Sequence, residues 1–422
     1  MNSRERVVAA LNHEIPDRVP FDLGSSAVTG IAAGELYLLK KALGLGEEPV
    51  YVHEPFQVLG SVDNETLDAV GADIIGVWPK KTFAGFENKN WRDWQLFDRT
   101  PVKIPEGFVY DADETGALYL YPQGDRSVKP SMKMPYNGNY FDVLVRQEPV
   151  DENNLNGRED FKDDFTVFSE EELRDTETEV NRLYKDTNRA LFGANCFLSL
   201  GDAALNPGPG MKRTPGIRKH EDWYMAHLLY PNYIKEVFEY QTEIALKNLA
   251  LYKEAVGDKI AIAYVSGADF GTQKSEFMSA DMFREFYAPF YKKVNTWIHN
   301  NTTWKTFFHS CGSIVKLLDD FVDIGVDILN PVQCSAVDMD AEFLKEKYGK
   351  SFTFWGGAVN TQQTLPFGTP EQVYEEVKTR MRIFSPGGGF VCCSIHNIQN
   401  KVPIENLTAY LNAVKDFNSG KI

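Results

Sequence analysis

The sequence predicts an α/β fold with a parallel sheet, because its second half alternates apolar strands with amphipathic helices. Strands are expected at Lys259–Val265, Lys305–His309, Val326–Asn330 and Ser351–Trp355, and a fifth over Gly389–Val391 follows a run of glycines. Continuous apolar runs are typical of strands that helices cover on both faces of a sheet. The first strand is not followed by the glycine-rich phosphate loop of dinucleotide-binding open sheets, which favours a closed barrel over an open sheet.

The segments between these strands carry helix signals. Ser279 is expected to cap a helix that Pro289 should kink, because proline cannot donate the helical hydrogen bond. Thr369 is expected to cap another helix, since Gln372 occupies the capping-box position three residues later. Further helices are expected at Ser313–Ile324, Met339–Tyr348 and Pro403–Val414.

The first half of the chain is less regular. A short helix over Arg6–Leu11 is expected to precede strands at Arg18–Gly24 and Ala72–Trp78. From about residue 80 to 165 the chain is aromatic and punctuated by glycine and proline, which predicts an insertion of hairpins and loops that covers the mouth of the fold. The charged segment Glu159–Asp186 is expected to be mostly helical. We expect all 422 residues to form a single domain.

The composition limits the class of protein. With 43% hydrophobic and 25% charged residues, the chain has ample material for a core. A formal net charge of −16 argues against a nucleic-acid partner, which requires a basic face. No apolar run is long enough to cross a membrane, and the charged amino terminus lacks the apolar core of a signal peptide. The five cysteines are too few for a disulfide framework, so we expect a cytoplasmic protein with reduced thiols and no membrane partner.

Two groups of cysteine and histidine follow predicted strands. His309 and Cys311 end one strand, and Cys392, Cys393 and His396 follow the last one. Imidazole nitrogen and thiolate sulfur are preferred zinc ligands. Because the carboxyl ends of parallel strands meet at one edge of the sheet, we expect a single open zinc site that takes its third ligand from the later group. Adjacent strand residues point to opposite faces, so at least one of the neighbouring cysteines should be a core thiol.

Other polar residues near strand ends are candidate catalytic groups. Asp22, Asp269 and Asn360 could each orient a substrate or a ligating histidine. Asp and Asn are also common in turns, and the sequence leaves both interpretations open. Cys196 and Cys334 lie among apolar neighbours and are expected to be structural. The sequence assigns no cofactor-binding residue.

These segments resemble the uroporphyrinogen decarboxylase superfamily, in its branch of cobalamin-dependent methyltransferases. The resemblance covers most of the chain in order, at Arg4–Gly24, Gly267–Lys293, His309–Ile314, Leu329–Gln333, Trp355–Gln362 and His396–Asn406. It implies a TIM (β/α)8 barrel with an N-terminal extension and a hairpin insertion.

The superfamily contains two chemistries. Its decarboxylases carry an arginine-rich stretch after the first strand that binds substrate carboxylates, whereas residues 21–26 of this chain contain no arginine. The methyltransferase branch holds zinc with His-x-Cys and one later cysteine. His309 and Cys311 match the first two ligands, and His396 stands at the position of the later cysteine. The third ligand is therefore expected to be His396, with Cys393 as the alternative.

The resemblance implies a zinc-dependent methyltransferase. Such an enzyme moves a methyl group between a corrinoid and a small methylated substrate, an ether or an amine, or a thiol. The chain has no Asp-x-His-x-x-Gly segment of the kind that ligates corrinoid, so the corrinoid should be carried on a separate protein. A site with one thiolate is electrophilic, which favours a demethylase with Lewis-acid zinc over thiol activation.

The sequence leaves alternatives to this function. One is a metal-free decarboxylase or lyase on the same barrel, and another is a barrel without catalytic activity. The expected partners are a corrinoid protein and a small-molecule methyl donor or acceptor, and the chain is compatible with a homodimer. The substrate and the direction of transfer stay open.

Overall fold

Strands form at the apolar and β-branched runs of the chain. The computed structural model describes residues 1–421, and within them the strands are β1 (Val50–Glu54), β2 (Leu59–Gly60), β3 (Ile74–Val77), β4 (Arg92–Gln95), β5 (Pro101–Ile104), β6 (Tyr110–Ala112), β7 (Leu118–Leu120), β8 (Met132–Met134), β9 (Asp142–Val143), β10 (Ala190–Gly193), β11 (Ile260–Ser266), β12 (Lys305–His309), β13 (Ile328–Asn330), β14 (Thr353–Trp355) and β15 (Phe390–Val391).

Helices connect and cover these strands. They are α1 (Ser3–Leu11), α2 (Ala33–Ala42), α3 (Asn64–Val70), α4 (Gly157–Asp160), α5 (Glu170–Asp186), α6 (His220–Leu229), α7 (Pro231–Val256), α8 (Ala280–Phe286), α9 (Ala288–Asn301), α10 (Leu318–Asp323), α11 (Ala341–Tyr348), α12 (Thr364–Phe367), α13 (Pro370–Phe384) and α14 (Ile404–Asn418). No helix within residues 1–421 combines the length and the apolar character that crossing a membrane requires.

The central sheet is a closed parallel barrel. Seven strands pair in the order β15-β14-β13-β12-β11-β10-β3. Phe21 fills the gap between the two outer strands: it forms a parallel bridge with Cys392, and its carbonyl accepts the N–H of Asp73 at 2.8 Å. This eighth position completes a TIM barrel, so the predicted fold is confirmed. The strand predicted over Arg18–Gly24 is reduced to one bridge, because Pro20 has no N–H to donate.

Aromatic side chains fill the barrel. The ring centroids of Phe192 and Phe307 lie 4.9 Å apart, and those of Phe307 and Trp355 lie 5.6 Å apart. The helix α1 covers the end of the barrel where the strands begin, since Arg4 N–H donates to Asn188 O at 2.7 Å just before β10. The barrel therefore opens at the carboxyl ends of its strands.

Local signals set most helix boundaries in the second half. The expected kink is confirmed: α8 ends at Phe286, α9 begins at Ala288, and Pro289 lies in the first turn of α9. The capping box between Thr369 and Gln372 is present. The predicted helix over Ser313–Ile324 is shorter, because a 3₁₀ turn at Val315–Leu317 precedes α10.

The insertion contains the predicted hairpins. Its strands pair antiparallel as β4 with β5 and as the sheet β6-β7-β8-β9, whereas β1 also pairs in parallel with β5. Gln123 Nε2 donates to Gly210 O at 3.0 Å, and the Arg146 guanidinium donates to Gly208 O at 2.6 Å. These contacts hold the insertion against the segment that follows β10. They support the single-domain assignment of residues 1–422, which stays a prediction.

Candidate metal centre

One imidazole, one thiol and a second imidazole converge where β12 and β15 end. One ligand atom from each of His309, Cys311 and His396 lies within 4.8 Å of the other two. The Cys311 Sγ is 3.4 Å from His309 Nε2, and the two imidazole ring centroids are 5.4 Å apart. The structure thus brings together three of the four residues that the sequence offered as metal ligands.

Backbone contacts fix the loop that carries Cys311. The N–H of Cys311 donates to Asp269 Oδ1 at 2.7 Å, and the N–H of Gly312 donates to Gln333 Oε1 at 2.8 Å. Gly312 has φ +90, and a Cβ at this position would lie 2.4 Å from the Gly271 backbone. Only glycine allows this approach, so the loop is held by both neighbouring strand ends.

Asn330 determines which nitrogen of His309 is free. The Asn330 amide Nδ2 donates to Trp355 O at 2.8 Å, and because a carbonyl only accepts, this contact fixes the orientation of the amide. Its Oδ1 therefore accepts from His309 Nδ1 at 2.5 Å. The proton of the imidazole is held on Nδ1, so the Nε2 lone pair is available to a metal.

Burial shapes the protonation of all three groups. It lowers the pKa of His309 and of His396 to about 4, so both imidazoles are neutral at pH 7. Burial and the nearby Asp269 carboxylate raise the pKa of the Cys311 thiol. A divalent cation reverses that shift, because it stabilises the thiolate. Two neutral imidazoles and one thiol fit the open three-ligand arrangement of a catalytic zinc site.

The adjacent cysteines lie elsewhere. Cys393 is 1% exposed and packs in the barrel interior beside Trp355 and Phe307. Cys392 is buried on the other side of the strand, where Tyr410 approaches its thiol. The alternation of strand side chains explains why neither thiol belongs to the convergent group.

The three candidate catalytic residues have different surroundings. Asp269 lies beside the cluster, with its Oδ1 3.6 Å from His309 Nε2 and its side chain 45% exposed to the cleft. Asp22 is buried, accepts from Trp355 Nε1 at 3.0 Å, and burial raises its pKa to about 6. Asn360 Oδ1 accepts the N–H of Gln362 at 2.8 Å, which is turn chemistry. Only Asp269 contacts a candidate ligand, and the catalytic roles stay predictions.

Several polar groups near the cluster escaped the sequence analysis. Asn330 is the polar residue at the carboxyl end of a predicted strand, and that position could have identified it. Asp202 follows β10, and its carboxylate interacts electrostatically with Asp269. No strand is predicted at Ala190–Gly193 from the sequence, so the loop that follows β10 is not placed at the barrel mouth. Cys196 in the same loop was expected to be structural, but it is exposed and lines a cavity of about 360 Å³.

Comparisons with known proteins find similarity to a protein family and to a solved structure. Residues 214–417 match the model of the family described as "Uroporphyrinogen decarboxylase (URO-D)", and this range contains all three convergent residues. None of the curated proteins is significantly similar to the chain in sequence. Among solved structures, a "methyltransferase from Methanosarcina mazei" is similar with a TM-score of 0.54 and 15% identity, over 99% of each chain. At this identity the likeness is one of fold.

Proposed function

Since residues 214–417 match the model of the uroporphyrinogen decarboxylase family, we propose that this chain belongs to that family and is a zinc-dependent methyltransferase that works with a corrinoid carried by a separate protein. The observation that carries the proposal is the convergence of His309, Cys311 and His396 within 4.8 Å at the open end of the barrel. The structural neighbour from Methanosarcina mazei bears the name methyltransferase, and it has this fold along 99% of its length.

The ligand set favours one kind of methyl transfer. Zinc would be held by His309, Cys311 and His396, and when bound it supplies Lewis acidity that polarises the oxygen of a methyl ether. One thiolate offsets only half of the metal's charge, so the site is more electrophilic than a site with two thiolates. We therefore propose demethylation of a small methylated molecule, with the methyl group passing to the corrinoid. Cys393 is the less suitable third ligand, since its side chain is enclosed in the barrel interior.

Residues around the ligands have positioning roles in this proposal. Asn330 holds the proton of His309 on Nδ1. Asp269 accepts the N–H of Cys311 and so fixes the loop that presents the thiol. Neither residue needs to react, because each acts through the orientation of a neighbouring ligand.

The alternative function, a metal-free decarboxylase or lyase, needs basic residues in the cleft. The nearest candidates are Lys274, in the loop after β11, and Arg18. Arg18, one of the basic residues near the first strand, forms an ion pair with Asp73 at 2.7 Å. Asp73 directly precedes β3, at the end of the barrel opposite the cluster. A polycarboxylated substrate at the barrel mouth could not reach this guanidinium.

Exposed apolar side chains beside the mouth suit a docked corrinoid protein. On α6, Leu228 is 68% exposed and Met225 is 50% exposed. The Tyr224 ring stacks on Phe277 of the loop after β11, with centroids 6.2 Å apart, so α6 borders the mouth. All five cysteines are free, which suits the cytoplasmic location that we propose. Self-association as a homodimer stays a prediction.

Metal analysis tests the proposal. We expect one zinc per chain in the purified protein, and loss of that zinc when His309 and Cys311 are both replaced by Ala, because a single remaining ligand cannot retain the ion. His396→Ala should also lose zinc, whereas Cys393→Ala should keep it. Mass spectrometry of the metals, with circular dichroism to check folding, gives the readout.

Two outcomes would reject the proposal. One is a protein without stoichiometric zinc after reconstitution, and the other is undiminished zinc in the double variant. If His396→Ala kept zinc and Cys393→Ala lost it, the third ligand would be Cys393. The transferase activity itself is measured by the absorbance of a Co(I) corrinoid protein, which should change to that of methyl-Co(III) when a methyl ether substrate is added.

A further inference from the structure

A second carboxylate faces the cluster from the loop after β10. The Ser199 hydroxyl donates to Asp202 Oδ2 at 2.8 Å and accepts the N–H of Gly267 at 3.0 Å. A Cβ at Gly267 would lie 3.7 Å from the same Asp202 oxygen. Asp202 is therefore held against the chain segment that reaches Asp269 two residues later. The two carboxylates are close enough for mutual repulsion, which adds to burial in raising the pKa of Asp202.

A tyrosine hydroxyl points into the same space. Tyr264 is 6% exposed, and its hydroxyl lies 2.6 Å from where a Cβ of Gly267 would be. The negatively charged forms of Asp202, Asp269 and Cys311 all raise the pKa of this hydroxyl. No group in residues 1–421 forms a hydrogen bond with it, although buried tyrosines usually find a partner. A ligand that enters the mouth would meet this free hydrogen-bonding group.

The carboxylates have no fixed counter-charge. Within the described chain, residues 1–421, no lysine or arginine forms an ion pair with Asp202 or Asp269. The basic groups beside Asp269 are the imidazoles of His309 and His396, and burial keeps both neutral at pH 7. If zinc, the Cys311 thiolate and both ionised carboxylates were present together, the site would carry one surplus negative charge. Charges this close in a partly enclosed cleft interact strongly.

From this balance we propose that the substrate of the site is a methyl ether that also carries a positively charged amine, bound by Asp202 and Asp269. The ammonium N–H groups match the carboxylate oxygens, and the Tyr264 hydroxyl oxygen accepts a further hydrogen bond. A carboxylate-bearing ether is repelled by the same two residues. The inference rests on the proposed function, since it concerns the substrate of that site.

Binding of matched ethers tests the inference. The probes are 2-methoxyethylamine, 2-methoxyethanol and methoxyacetate, which differ mainly in charge, and the larger set of 4-methoxybenzylamine, 4-methoxybenzyl alcohol and 4-methoxybenzoate. Isothermal calorimetry on the zinc-loaded protein should show the amine of at least one set binding more tightly than its alcohol, and at least about tenfold more tightly than its carboxylate. Equal or weaker binding of the amines in both sets, or no binding of either amine, overturns the inference.

An isosteric variant tests whether Asp202 causes the preference for amines. Asp202→Asn should lower the affinity for the amine about tenfold while leaving the affinity for the alcohol unchanged, because it removes charge and keeps shape. Asp222→Asn is the control, since Asp222 is an exposed acidic residue on α6 and its loss changes the net charge equally. An unchanged amine preference in Asp202→Asn contradicts the assignment. The comparison of probes on the unaltered protein holds even if the variant fails to fold.

Failure of this inference is distinguishable from failure of the proposed function. Zinc content is measured on the same preparations. Stoichiometric zinc without a preference for the amines rejects only the amine-bearing substrate. Absence of zinc rejects the methyltransferase proposal, whatever the probes show.

Discussion

At the scale of single residues, Asn330 links the fold to the chemistry of the site. Its amide donates to the Trp355 carbonyl of the next strand and accepts from His309. The sequence could indicate His309 and Cys311, because a histidine and a cysteine at a strand end are visible along the chain. The role of Asn330 depends on contacts between three strands, and no local pattern encodes such contacts.

Replacement of Asn330 tests this positioning role. Asn330→Leu removes the acceptor for His309 Nδ1, so the imidazole loses its fixed tautomer and orientation. We expect zinc affinity to fall by about 10- to 100-fold, as is usual when a partner of a ligating histidine is removed. Asn330→Asp keeps an acceptor oxygen and should retain most of the affinity. Competition with a chromophoric chelator measures both dissociation constants, and equal affinities in the two variants would contradict the role.

At the scale of elements, strand ends determine where chemistry can occur. The strand β12 has the predicted bounds, because a three-residue run of Thr and Phe is bounded by Lys305 and His309. The strand β10, at Ala190–Gly193, was missed. Because β10 was missed, the loop that carries Asp202 was not placed at the barrel mouth. The errors in the site therefore follow from an error in the sheet.

The close packing of the loop after β12 leads to a prediction at the scale of elements. Gly312→Ala adds a Cβ that would lie 2.4 Å from the Gly271 backbone, in a residue with φ +90. We expect the loop to shift, with loss of zinc and a lower free energy of unfolding. Gly44→Ala is the matched control, because Gly44 has φ +72 but no atom within 4 Å. The control should cost only the backbone strain, about 1 kcal/mol.

Urea denaturation and metal analysis compare the two variants. The unfolding midpoint of Gly312→Ala should lie clearly below that of Gly44→Ala, and only Gly312→Ala should lose zinc. Similar midpoints with zinc retained in both would show that the close approach to Gly271 does not hold the loop.

At the scale of the whole molecule, the two ends of the barrel have separate tasks. The closed end holds a buried charge network in which Asp73, 0% exposed, pairs with Arg6 and Arg18 at 2.7 Å each. The open end holds the ligand cluster. Residues that stabilise the fold and residues that bind ligands are thus at opposite ends of the strands, as in other barrels of this class.

This separation predicts that stability can be lost without loss of the site. Asp73→Ala removes the buried carboxylate that Arg6 and Arg18 share, although Arg6 keeps its second partner, Asp17. The change should lower the free energy of unfolding by about 3 kcal/mol. Asp68→Ala removes a carboxylate that is 75% exposed and pairs with Arg189, so it should cost at most about 1 kcal/mol. Chemical denaturation measures both changes. The zinc dissociation constant should be the same in each folded variant, and a change in Asp73→Ala alone would disprove the separation.

The helix that covers the closed end has a kinetic consequence. Since α1 covers the end where the strands begin and aromatic rings pack inside the barrel, we expect a small molecule to reach and leave the cluster through the doorway at the carboxyl ends of the strands. The proposed protein partner would obstruct that doorway while it is bound. Turnover should then follow a compulsory sequence, in which the methylated compound enters first, the carrier protein associates second, and the demethylated product escapes only after the carrier has gone.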